Sequence, residues 1–137
     1  MNCKFSRVTA IAVGIGLVAI GGALGVYAQE KPQIKRNIVL KEDMSIPGRE
    51  AVMVLVELPP GVAEGRHTHA AEVYAFVLEG AVTQEVEGSP AVILKAGDVF
   101  HVAPGVVHEA TNHGSVTAKL AAVFVAEQGK PLTTPAR

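Results

Sequence analysis

His67-Thr68-His69 and, 41 residues after His67, His108 are the side chains whose type and spacing best suit chemistry. Two imidazoles at i and i+2 project from one face of a strand, because side chains alternate sides along extended backbone. A third imidazole from a distant strand can complete one face of a metal site. Neutral imidazole nitrogens suit Zn, Fe, Ni, Cu and, less strongly, Mn. Three protein ligands leave positions open for water or substrate, as in catalytic sites and unlike closed structural ones. The competing reading is histidines held inside a barrel by hydrogen bonds with no ion. It is strong for one histidine and weak for three.

The elements that must position these rings read as strands. Short β-type segments run over Ile38–Leu40, Ala51–Leu58, Val73–Leu78, Val82–Val86, Ala91–Leu94, Val99–Val102 and Val116–Val125. Between them stand turn residues such as Pro59-Pro60-Gly61, Glu79-Gly80, Ala96-Gly97-Asp98 and Pro104-Gly105. Many short strands with turn signals at roughly 8–12-residue spacing indicate an all-β sandwich or barrel, and no internal segment shows helical periodicity. Several strands, such as Val73-Tyr74-Ala75-Phe76-Val77-Leu78, are apolar on both faces. One face then lines the core, and the other is covered by a second sheet or a partner subunit.

The chain's 137 residues allow one ordinary domain. Lys4 and Arg7 precede an uncharged 19-residue run from Val8 to Val26, which contains five glycines and ends at Val26-Tyr27-Ala28 before polar Gln29-Glu30-Lys31-Pro32. Charged, apolar and small residues in that order predict a secretory signal peptide over residues 1–28. The alternative is an uncleaved membrane anchor, since the run is long enough to span a bilayer at a stretch. The expected location is the periplasm or the medium, or the membrane surface if the leader stays. Cys3 lies in the leader, so the mature chain has no cysteine, which excludes disulfides and thiolate ligation and leaves nitrogen and oxygen donors. Of 12 basic and 13 acidic residues only Lys4 and Arg7 are lost with the leader, giving a net charge of −3. With no basic cluster, that balance argues against nucleic acid. A lead-in over residues 29–36, a domain over 37–127 and an extended tail over 128–137 complete the organisation.

The motif residues resemble the cupins, small double-stranded β-helix (jelly-roll) barrels. Their first motif is matched by Gly61, five residues, His67-Thr68-His69 and a later Gly80. The second is matched by Gly97, five residues, Ala103-Pro104-Gly105, two residues, His108, three residues and Asn112. Together they span residues 61–112, with both halves in register. Ala103 stands where the family has proline, and the proline follows one place later. Val73 stands where the family has its ligand glutamate, with Glu72 one residue early. A one-residue displacement turns a strand side chain to the opposite face, so Glu72 is a ligand only if a bulge re-aims it. The resemblance implies a divalent transition metal (Fe, Mn, Zn or Ni) on His67, His69 and His108, with Glu72 as the conditional fourth ligand, and it implies a homodimer.

Other polar residues are weaker candidates. His101 reads as an outer donor or general base, or simply as a strand histidine. Gln84 and Tyr74 are candidates for the pocket lining, with strand parity left open. Arg66 points away from His67 on a regular strand, His113 sits in an exposed turn, and Asn112 reads as a turn cap. Gly61, Gly80, Gly97 and Gly105 read as turn formers. An ion held by three imidazoles keeps its double positive charge and favours an anionic or enolate-like ligand. The first function class is therefore an exported metalloenzyme, a dioxygenase, isomerase or decarboxylase of small organic acids, phenols or diketones. The second is a non-catalytic module binding a metal or small ligand, and the third a barrel retained for assembly alone. Fold does not choose among them.

Overall fold

A computed structural model of the chain describes residues 31–137; the leader expected at residues 1–28, and Cys3 with it, lies outside the described residues. The described chain is built of strands and turns. In order they are β1 (Lys35–Asp43), β2 (Arg49–Leu58), β3 (His67–Thr68), β4 (Ala71–Glu79), β5 (Ala81–Val86), β6 (Val92–Lys95), β7 (Val99–Val102), β8 (His108–Thr111), β9 (Ala118–Glu127) and β10 (Thr134–Pro135). All pairings are antiparallel, giving two five-stranded sheets ordered β1-β2-β9-β4-β7 and β10-β3-β8-β5-β6.

Alternation explains the long strands. In β2, Val52, Val54, Val56 and Leu58 are buried while Met53, Leu55 and Glu57 turn outward. In β4, Ala71, Val73, Ala75 and Val77 point in, and Glu72, Tyr74, Phe76 and Leu78 point out. In β9, small and large residues alternate along the inner face as Ala118, Leu120, Ala122, Phe124 and Ala126. Phe124 is the one ring among these inner residues, and its alanine neighbours leave space around it. Period-two burial on both sheets places the core between them.

Three strands fall outside the segments expected from the sequence. β3, β8 and β10 have two, four and two residues and carry polar side chains, so no apolar alternation marks them. The tail is docked: Thr134 and Pro135 pair with Thr68 and His67, and Ala136 N donates to Arg66 O at 2.9 Å. β1 begins at Lys35, inside the expected lead-in, and pairs with β2 along its length.

Two motif glycines are required by geometry. Gly80 joins β4 to β5 with φ 71°, and a Cβ there would lie 3.0 Å from Ala118 Cα, closer than side chains tolerate. Gly105 has φ 75°, the left-handed region in which glycine is unstrained, and its N–H donates to His69 O at 2.9 Å. That bond ties the turn before β8 to the end of β3, so the two motifs are physically joined.

Candidate metal centre

Register brings the histidines together. His67 in β3 lies directly opposite His108 in β8, and His69 follows two residues on, back on the same inward face. Their ring centroids lie 4.4, 4.7 and 5.0 Å apart, and one ligand atom from each lies within 4.8 Å of the others. All three are buried. Convergence of residues separated by more than forty positions follows from the antiparallel β3–β8 pair alone.

The outer nitrogens of the rings are committed. His67 Nδ1 donates to Gly65 O at 2.6 Å, His69 Nδ1 to Leu132 O at 2.8 Å with Thr133 Oγ1 at 3.2 Å, and His108 Nδ1 to Val106 O at 3.0 Å. A neutral imidazole with its proton on Nδ1 presents a lone pair at Nε2. His67 Nε2 and His69 Nε2 then face each other at 3.1 Å. Two lone pairs at that distance repel unless something positive lies between them. One shared proton bridges two nitrogens, but not the third ring turned to the same place. A cation on all three resolves the arrangement. With metal–nitrogen bonds of roughly 2.1 Å, a 3.1 Å separation corresponds to an angle of about 95° at the ion, within the range of octahedral and distorted tetrahedral sites. The donor set fits a divalent transition metal.

Protonation agrees with that fit. Burial lowers His69 from the usual 6.5 to about 4, partly offset by its bond to the Leu132 carbonyl, and burial lowers His108 in the same direction. Both rings are therefore neutral near pH 7, the form that ligates. Around them is a cavity of about 70 Å³. Its walls are apolar, with Val54, Val73, Leu120 and Phe124 among them, and its polar lining beyond the histidines includes Gln84, Glu64 and Arg36.

Glu64 was not foreseen from the sequence. It lies three residues before His67, its side chain is largely buried, and Arg36 of β1 reaches it at 3.5 Å. Burial pushes its carboxyl above the ordinary range, while His67 and Arg36 pull it back in part. It lines both that cavity and a second pocket formed with Arg36, His67, Thr133 and Pro135. Nothing in the sequence marks it, since Ala63-Glu64-Gly65 reads as a polar turn. The tail's contribution did leave a trace: Leu132 is the large apolar residue in an otherwise polar or small segment, and it packs against the core.

The other expected residues fall as follows. Glu72 is not brought to the trio. β4 pairs regularly with β9 from Ala71 to Val77 and its irregularity lies beyond, at Val77/Glu79, so no bulge re-aims Glu72. Its carboxylate faces outward and bonds His101 Nε2, and His101 stacks on Tyr74 with centroids 4.9 Å apart. His101 and Tyr74 are thereby also on the outer face. Gln84 lines the cavity. Asn112 is fully buried; its amide donates to Leu58 O and Val116 O, both at 2.8 Å, and accepts from Gly114 N, a turn cap as expected. His113 is exposed, and Arg66 pairs with Glu87 at the surface.

Comparisons with known proteins agree with this architecture. A search of curated protein sequences finds no match. Among solved structures, an uncharacterized conserved protein with a double-stranded β-helix domain from Klebsiella pneumoniae matches with a TM-score of 0.64 and 23% identity, over 78% of this chain and 90% of that one. The DMSP lyase DddQ from Ruegeria pomeroyi matches with a TM-score of 0.59 and 21% identity, over 63% of this chain and 43% of that one. A recombinant oxalate oxidase in complex with glycolate matches with a TM-score of 0.57 and 22% identity, over 62% and 45%. The chain thus spans less than half the length of the lyase and the oxidase, and at these identities the likeness is one of fold. The model of the cupin domain matches residues 54–124, just over half of the chain and including all three buried histidines, so the protein belongs to the cupin family.

Proposed function

We propose that this cupin holds a divalent transition metal (Fe, Mn, Zn or Ni) on His67, His69 and His108 and presents it to a small organic anion in a largely apolar cavity. The observation that carries this reading is the pair of Nε2 lone pairs 3.1 Å apart, with each Nδ1 already donating to a carbonyl. When bound, such an ion supplies Lewis acidity and open positions for ligand, water or dioxygen. The chain's own residues do the rest. The carbonyls of Gly65, Leu132 and Val106 fix ring orientation and tautomer. The apolar walls exclude water and strengthen charge interactions inside. Glu64, with its carboxyl raised by burial, is the proton carrier at the cavity, and Arg36 in the cavity lining attracts anions. The reaction classes that follow are dioxygenation, isomerisation or decarboxylation of a small acid, phenol or diketone. A lyase and an oxidase built on the same fold support small-molecule chemistry. The leader-like segment before Gln29 supports export to the periplasm or medium.

A second reading, a non-catalytic binding module, is favoured by one observation: Glu72 and His101, the proton carriers expected beside the metal, face away from the cavity. The test is metal content after equilibration with each ion and desalting, followed by incubation with candidate acids. One ion per chain, lost in His67→Ala, is expected. An ion count unchanged in His67→Ala refutes the metal reading, and a bound acid recovered unaltered after hours selects the binding module over the enzyme.

A further inference from the structure

The Gln84 amide is buried in the second sheet, and among the described residues neither its Nε2 nor its Oε1 has a hydrogen-bond partner. It sits in β5 beside β8, with Val82 and Gln84 facing inward, and it lines the same cavity as the three histidines. Buried amides without partners destabilise a fold, and natural cores rarely retain them. A neutral side chain of this size on an apolar wall is easily replaced by leucine or methionine. An unpartnered amide in the lining of a cavity calls for a ligand that satisfies it.

We infer that Gln84 is the specificity-determining residue of the cavity, and that the ligand is a short hydroxy or oxo acid whose polar groups both accept from its Nε2 and donate to its Oε1. The inference rests on the proposed metal only for the end of the ligand that the ion holds. Size narrows the class. A cavity of about 70 Å³ suits a small ligand and not an extended one. The amide adds no charge, so it reads hydrogen-bonding pattern and leaves anion attraction to the ion and Arg36.

Glycolate and propionate separate this role from a structural one, since they match in heavy-atom count and charge and differ by a hydroxyl in place of a methyl. Calorimetric titration of the metal-equilibrated protein is expected to show glycolate binding at least about tenfold more tightly. In Gln84→Met the preference falls to within about twofold, and without ligand that variant melts roughly 4 °C or more above the parent, because an unpaired buried amide is gone. Gln84→Leu repeats the test with a second side chain. Equal affinities in the parent protein, a preference that survives both substitutions, or lower melting of both variants overturns the inference. Metal content is measured on the same samples. Its absence sinks the metal reading, while the two-acid comparison on the metal-free protein still decides the role of Gln84.

Discussion

Ending the chain after Lys130 removes a hydrogen-bond acceptor of the metal centre without touching any of its three histidines. The perturbation deletes Leu132 O, which accepts from His69 Nδ1 at 2.8 Å, Thr133 Oγ1 at 3.2 Å from the same nitrogen, the β10–β3 pair and the bond from Ala136 N to Arg66 O. A buried donor left without a partner costs about 1–3 kcal/mol. Water reaches the ring once the tail is gone, so the low end applies, about 1 kcal/mol. Loss of the partly buried Leu132 from the core edge adds about another 1 kcal/mol. For a domain of this size the sum lowers the melting temperature by roughly 8–16 °C. Metal affinity falls further in relative terms, because removing the partner that orients a ligating histidine typically costs 10–100-fold. The assay is a thermal melt of the metal-free protein together with competition for metal against a chromophoric chelator. Because the acceptor is a backbone carbonyl, Leu132→Ala keeps it and is expected to retain affinity within about threefold, as is Thr133→Val. A truncated chain that melts within about 2 °C of the full chain and binds metal equally well refutes the reasoning.

Three further outcomes follow. Asn112→Asp keeps the acceptor for Gly114 N but turns a carboxylate oxygen toward the carbonyls of Leu58 and Val116, so it is expected to destabilise by about 2–4 kcal/mol in denaturant titration while metal stoichiometry of the folded fraction is unchanged. His69 binds its proton less readily folded than unfolded, so its contribution to the stability of the metal-free protein is complete above pH 6.5 and is lost as pH falls from 6.5 toward 4, by roughly 3 kcal/mol for this ring. Urea midpoints across that range show the loss, and His69→Leu removes the His69 share while that of His108 persists. On the outer face of the first sheet, Tyr74, Phe76, Val99 and Val123 form an exposed apolar surface, and we propose it as the contact if two copies pair. Sedimentation of Phe76→Glu is then expected to give monomer, and an unchanged dimer rejects that surface.

Strand positions with apolar alternation were legible in the sequence, and so was the trio, because an i, i+2 pair fixes a shared face whatever the rest of the chain does. The parity rule also placed Glu72 on the far side of β4 unless a bulge intervened, and no bulge lies there. What the sequence hid depends on long-range pairing. β9 runs between β2 and β4 although 59 residues lie between it and β2 in the chain, and no local pattern carries that partnership. β3 and β8 are strands because they pair with each other and with β10 and β5, not because His67-Thr68 or His108-Glu109 favours extension. Glu64 and the Leu132 carbonyl belong to the site for the same reason: each is delivered by a segment whose own sequence is that of a turn or an arm.

Placement of the carboxylates decides what kind of ligand this cavity favours. With Glu72 turned outward and committed to His101, no carboxylate among the described residues joins the three imidazoles. An ion held by neutral rings keeps its full double charge, in a cavity whose apolar walls leave few competing dipoles. Glu64, the acid that lines the cavity, is shared with Arg36 and raised by burial, so it offsets that charge less than a bound carboxylate would. The balance therefore favours anions. The same balance makes Glu64→Gln informative. Removing an acid whose charged form is disfavoured by burial raises stability above its folded-state pKa, so the variant should melt higher at pH 8 and converge with the parent in acid. If the same variant binds small anions as well as before but no longer converts them, Glu64 moves the proton. If conversion is unimpaired, the proton travels by another route and the role given to Glu64 is wrong.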